Sequence, residues 1–221
     1  MDMQYGLAKG GSCLISEIAR SLDESIKLSN TIDRLCDHLS YIYPEDKHII
    51  WNNYLEEVRQ VVDVVNPIVL FDDTDINKEY SKKLEDLDRV IDASSKDKRI
   101  VNGYHVCEAT VLTKKEKQPI SIYSQIYSCK SESFKSKGTY TLTSIKAAER
   151  MFKHGFIGIF DRGYDDNKII EYMTKHKFVI RLDDNRTLLF KGKKRSAEEV
   201  ASSRKGKIKR LHYLMIMKRR N

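Results

Sequence analysis

Ile68-Val69-Leu70-Phe71-Asp72-Asp73-Thr74-Asp75 and Phe156-Ile157-Gly158-Ile159-Phe160-Asp161-Arg162-Gly163-Tyr164-Asp165 are two apolar runs that each break on aspartate. Four or five apolar residues in a row, without helical spacing, suit a strand covered on both faces. Both runs deliver carboxylates at a strand end, where an open α/β sheet places its ligand crevice. Two such strands side by side would bring Asp73 and Asp161 together. Close carboxylates repel unless they are protonated or share a cation, so the pattern predicts a divalent metal site. It offers no obvious third carboxylate. Asp72, Asp75, Asp165 and Asp166 read instead as turn formers or helix caps, Asp166 standing where the N-cap of a following helix belongs.

Working outward, Leu14, Ile15, Ile18, Ala19 and Leu22 recur at helical spacing, as do Ile32, Leu35, Cys36 and Leu39. A third helix is predicted over Lys47–Val64, with Trp51, Tyr54, Leu55, Val58, Val61 and Val62 inward, until Asn66-Pro67 stops it. Downstream of the first apolar run, Arg99–Thr113 and Gln118–Ser128 are rich in Val, Ile, Thr and Tyr. They flank Lys114-Lys115-Glu116-Lys117, a natural hairpin tip. A helix over Thr143–His154, the strand Phe156–Phe160, a helix over Asp166–Lys177 and the strand Phe178–Leu182 complete the order β-β-β-α-β-α-β. A three-stranded meander followed by a right-handed crossover sets the fourth strand beside the first. The expected fold class is therefore α/β, a ribonuclease H-like mixed sheet after an N-terminal helical region. The expected divisions are 1–66 helical, 67–185 the core, and 186–221 a basic start of a β insertion.

Charge is uneven. Residues 186–221 hold thirteen Lys or Arg against Glu198 and Glu199, a surplus of eleven, while the chain as a whole carries +8. A basic block of this kind attracts polyanions, nucleic acid first among them. Cys13, Cys36, Cys107 and Cys129 show no metal-type spacing and read as reduced thiols packed as small apolar side chains. No apolar stretch suits a signal peptide or a membrane span, so a cytoplasmic, nucleoid-associated protein that avoids membranes is expected.

The strand ending in Asp72-Asp73-Thr74 and the later Phe160-Asp161-Arg162-Gly163-Tyr164-Asp165 resemble the first two acidic motifs of DDE transposases of bacterial insertion sequences. The subgroup is the one whose third acid lies in a Tyr-Arg-Glu-Lys signature. Ile15–Leu22 and Thr31–Leu35 are also similar to that subgroup's opening. The resemblance implies metal-dependent DNA cleavage and strand transfer at insertion-sequence ends. It makes Asp73 and Asp161 the catalytic metal ligands, with two Mg²⁺ (or Mn²⁺) ions in a complete site and double-stranded DNA as partner. No Tyr-x-x-Arg-x-x-x-Glu pattern follows Asp161, and the later glutamates are Glu171, Glu198 and Glu199. In the family an inserted β domain separates the second acid from the third, and Thr187–Phe190 and Ile208–Met217 look like its first strands. The reading is a transposase cut off inside that insertion. An alternative is a catalytically dead DNA-binding remnant that inhibits a full-length transposase, alone as a homodimer or in mixed oligomers.

For binding to DNA, Lys191, Lys193, Lys194, Arg195, Lys205, Lys207, Lys209 and Arg210 suit the backbone, and Arg162 is placed to meet a scissile phosphate. A helix-turn-helix over Ser12–Leu39 would present Asn30, Thr31, Asp33, Arg34 and Asp37, but ordinary helical packing explains that region better. Tyr104, His105, Tyr123 and Trp51 read as packing residues. Asp73-Thr74-Asp75 also mimics the Asp-x-Asp motif of haloacid-dehalogenase-type phosphatases. The antiparallel hairpin expected over Arg99–Ser128 stands against their parallel sheet.

Overall fold

The computed structural model describes residues 2–203, apart from 93, 94 and 96. The chain forms two compact units that divide between Glu56 and Glu57, inside a helix rather than at Asn66-Pro67.

The first unit holds α1 (Asp2–Gly10), α2 (Ile15–Leu22), α3 (Leu28–Ser40) and most of α4 (Pro44–Val61). Ile18, Ala19 and Leu35 form its buried centre, with Met3, Ile15, Leu22 and Ile32 packed around them. The turn after α2 is closed by Asp23 in the left-handed region. Arg34 bridges Asp2 at 2.6 Å and Glu24 at 2.5 Å, and the buried Thr31 hydroxyl donates to Glu24 at 2.8 Å. Thr31 is therefore spent inside the helical packing, and Arg34, though partly exposed, is engaged by two carboxylates. Helix α1 falls within the region expected to be helical, though no apolar spacing marked its bounds. On α4, Val58 and Val62 beyond its end are buried as expected, but Trp51, Tyr54 and Val61 are exposed.

The second unit is built on a six-stranded mixed sheet. Its first four strands are β1 (Ile68–Asn77), β2 (Asp88–Ile91), β3 (Ile100–Leu112) and β4 (Pro119–Tyr127). There follow α5 (Lys137–Met151), β5 (Ile157–Phe160), α6 (Asn167–Met173) and β6 (Lys177–Ile180). Strand β3 runs antiparallel to β1 on one side, and to both β2 and β4 on the other. Strands β1, β5 and β6 are parallel neighbours, so the strand after the crossover does lie beside the first. Two helix starts carry side-chain caps: Ser136 accepts from the Thr139 N–H, and Asp166 accepts from those of Lys168 and Ile169. The Ser136 cap starts α5 six residues earlier than the apolar spacing alone suggests.

Helices α5 and α6 cover one face of the sheet. Val69, Phe71, Ala109, Val111 and Phe160 are buried there beneath Ile145, Ala148, Met151, Ile170 and Met173. Phe71 and Phe160 stack at 4.6 Å between ring centroids, tying β1 to β5. Beyond β6 a hairpin joins β7 (Thr187–Phe190) to β8 (Lys193–Ser196), and α7 (Ala197–Ser202) follows behind a capping box made by Ser196 and Glu199. Lys191 and Gly192 both take positive φ, as a two-residue hairpin turn requires. Strand β8 has no counterpart in the sequence reading, and Ile208–Met217 lies outside the described residues.

Candidate active site

Strand β1 does not stop at its aspartates. Its pairing with β5 ends at Phe71↔Phe160, while its pairing with β3 continues to Asn77↔Gly103. The acids therefore sit within β1, at the point where β5 leaves it, and Asp161 follows directly on β5. Alternation along a strand sends successive side chains to opposite faces. Phe71 and Asp73 share the face covered by α5, whereas Asp72 lies on the other.

Asp161 keeps extended backbone after Phe160, at φ −79° and ψ −172°. Its side chain thus falls on the Asp72 face, and the Asp161 carboxylate acts on Asp72. The Asp72 pKa is raised first by partial burial and then by the negative charge of Asp161, with Asp73 and Glu108 adding to it. Glu108 stands opposite Asp72 in the β1–β3 register, which puts a third carboxylate on the same face. Asp161 is held in place by the Gly163 N–H, which donates to Oδ1 at 2.8 Å.

Asp73, the residue expected to face Asp161, has other company. Its register partner is the buried Cys107, and Tyr164 approaches it from the turn after β5. Partial desolvation raises the Asp73 pKa, against the opposing influence of Cys107, Tyr164, Lys137 and His105. Burial, with Asp73 alongside, pushes the Cys107 thiol up to about 12 and the Tyr164 hydroxyl up as well. Asp73, itself exposed, thus stands beside the buried Cys107 and Tyr164 on the α5 face.

Arg162 lies 3.7 Å from Asp183 and 3.6 Å from Asp184. It does not pair with Asp165, which is taken by Arg186 at 2.9 Å. Lys191, Lys193, Lys194 and Arg195 are exposed on the β7–β8 hairpin, and Lys205, Lys207, Lys209 and Arg210 lie outside the described residues. Of the cysteines, Cys107 alone is buried, while Cys13, Cys36 and Cys129 are exposed, so the expectation of four packed thiols holds at one position. Sequence reasoning passes over Glu108 and treats Asp72 as a turn former. The signal for both is the period of two along β1 and β3, which sorts adjacent acids by face.

An all-oxygen set of carboxylates suits a hard divalent cation such as Mg²⁺ or Mn²⁺. The raised Asp72 pKa beside Asp161 fits that use, because a shared cation would relieve the repulsion. No helix of the described residues is long and apolar enough to cross a membrane.

No protein-family model matches the chain, and no curated protein matches it. Among solved structures it is similar to the Drosophila P element transposase strand transfer complex, with 11% sequence identity and a TM-score of 0.29. That match covers 90% of this chain and 52% of the other, so the chain spans about half the length of the protein it matches.

Proposed function

We propose that the second unit is a ribonuclease H-like core of the DDE transposase kind, acting on DNA by metal-dependent phosphodiester cleavage and strand transfer. What supports the reading is that Asp72 and Asp161 fall on one face of the sheet where β1 and β5 part, near enough for the Asp161 charge to raise the Asp72 pKa. Asp72 and Asp161 hold the cation in this reading, with Glu108 flanking. A bound divalent ion would supply charge to activate water and to steady the leaving oxygen. The chain's own residues do the rest. The Gly163 N–H fixes the Asp161 carboxylate, the parallel ladder of β1 and β5 sets the spacing of the two strands, and the basic β7–β8 hairpin meets the DNA backbone. Asp73, the first acid by family resemblance, is the competing candidate for the β1 ligand.

A second reading is DNA binding without cleavage. Its support is that, among the described residues, the acids on this face are not drawn into a compact metal cluster, while Lys193, Lys194 and Arg195 stand exposed in a row. Nicking of supercoiled plasmid separates the two. Mg²⁺-dependent nicking that chelation stops and Asp161→Asn lowers at least about 100-fold supports the enzyme. Plasmid binding with no nicking in Mg²⁺ or Mn²⁺ supports the binder.

A further inference from the structure

Asp88, His105 and Cys129 are far apart in sequence, on β2, on β3 and just past β4. Yet one ligand atom from each lies within 4.8 Å of the others. His105 Nδ1 is 2.6 Å from Asp75 Oδ1, and His105 Nε2 is 3.7 Å from Asp88 Oδ2, beyond hydrogen-bond reach. The imidazole is thus oriented by a carboxylate through one nitrogen and left open toward the trio through the other. This is the arrangement by which metal-bound histidines are usually held, with a carboxylate fixing tautomer and ring. Tyr127 fixes the ring further, stacking on it at 5.3 Å. Asp88 is anchored as well: Arg89 N–H donates to Oδ1 and Cys129 N–H to Oδ2, each at 2.7 Å.

We infer that Asp88, His105 and Cys129 form a binding site for Zn²⁺, with Asp75 as its orienting residue. Bonds of about 2.0–2.3 Å to N, O and S in a tetrahedron set ligand atoms roughly 3.3–3.8 Å apart. The His105–Asp88 distance of 3.7 Å is a few tenths of an ångström longer than an N···O pair on such an ion requires, and the remainder closes with side-chain rotation at the exposed Cys129. One thiolate, one carboxylate and one neutral imidazole balance the ion's two charges. On binding, the Cys129 Sγ–H bond breaks, its proton passes to solvent, and an Sγ–Zn bond forms. Three protein ligands leave a fourth position to water. The site would clamp β2, β3 and the segment after β4 together at the far end of the sheet from β5. The donor set differs from the all-oxygen group around Asp72, and the two sites do not share a residue.

Co²⁺ replaces Zn²⁺ as an optical probe on the full chain. One equivalent is expected to give tetrahedral visible bands and an intense near-ultraviolet thiolate-to-metal band, both displaced by Zn²⁺. Cys129→Ser removes the ultraviolet band. Asp75→Asn keeps it and weakens affinity about 10–100-fold. The band persists in the Cys13→Ser/Cys36→Ser double variant, and Zn²⁺ raises the melting temperature of the wild type but not of Cys129→Ser. Absence of the thiolate band, its survival in Cys129→Ser, or its loss in the double variant overturns the inference. Asp161→Asn leaves every one of these signals in place, so failure here is separate from failure of the nuclease reading.

Discussion

Glu149 is a residue whose surroundings translate directly into a pH dependence. Burial alone would raise its pKa, but hydrogen bonds from Lys175, His176 and Tyr172 outweigh that and hold it at about 2, against an ordinary 4.5. Lys175 and His176 each approach Glu149 Oε1 at 2.7 Å, and the Tyr172 hydroxyl donates to Oε2 at 2.9 Å. A carboxylate depressed in the folded state stabilises the fold above its unfolded pKa and loses that contribution as pH falls through the folded one. Glu149→Gln is therefore expected to cost about 1–2 kcal/mol near neutrality, after allowance for solvent screening. The difference between variant and wild type should shrink as pH is lowered from 4.5 toward about 2. Thermal melts across that range read it directly. At the same scale lies the choice between Asp72 and Asp73. A run of acids shows that carboxylates arrive at the sheet. Which of them meets Asp161 depends on the parity of the strand, set by whether Phe71 or Leu70 turns toward α5.

At the scale of elements, β1 and β5 were legible because apolar runs of their length are strands, and the handedness of the crossover made them neighbours. The length of β1 was not legible. Its second half is polar and persists only because β3, thirteen residues long, pairs with it as far as Gly103. Strand β2 was hidden for a related reason. It has four residues, of which Asp88 and Val90 are the buried ones, so it shows no apolar run. Gly103 is the position where these three strands meet. A Cβ there would lie 2.3 Å from the Ile76 carbonyl oxygen and 2.5 Å from Val90 Cγ2. Since backbone cannot yield as a flexible side chain does, Gly103→Ala is expected to cost roughly 1–3 kcal/mol, measured as a lower urea midpoint. An unchanged midpoint would mean that β2 is not pinned to β3 at this point. The trio of Asp88, His105 and Cys129 was likewise invisible, because pairing across β2, β3 and β4 creates its spacing and no local motif does.

For the whole molecule, the charge asymmetry was the most readable property. Part of it now has a shape, with Lys193, Lys194 and Arg195 on an exposed hairpin whose turn is set by Lys191 and Gly192. Replacing all three by Ala is expected to weaken DNA binding without changing sequence preference. It should also flatten the dependence of log affinity on log salt by up to about 3, since each phosphate no longer neutralised removes about 0.9 from the slope. An unaltered salt slope would remove the hairpin from the interface. The central claim, however, concerns the acid pair on the open face of the sheet. Plasmid nicking in Mg²⁺ by Asp72→Asn, Asp73→Asn and Asp161→Asn, each checked for wild-type folding, tests it most directly. A fall of at least about 100-fold in Asp72→Asn and Asp161→Asn, with Asp73→Asn far less affected, is the predicted result. Nicking that survives Asp72→Asn but disappears in Asp73→Asn would contradict it.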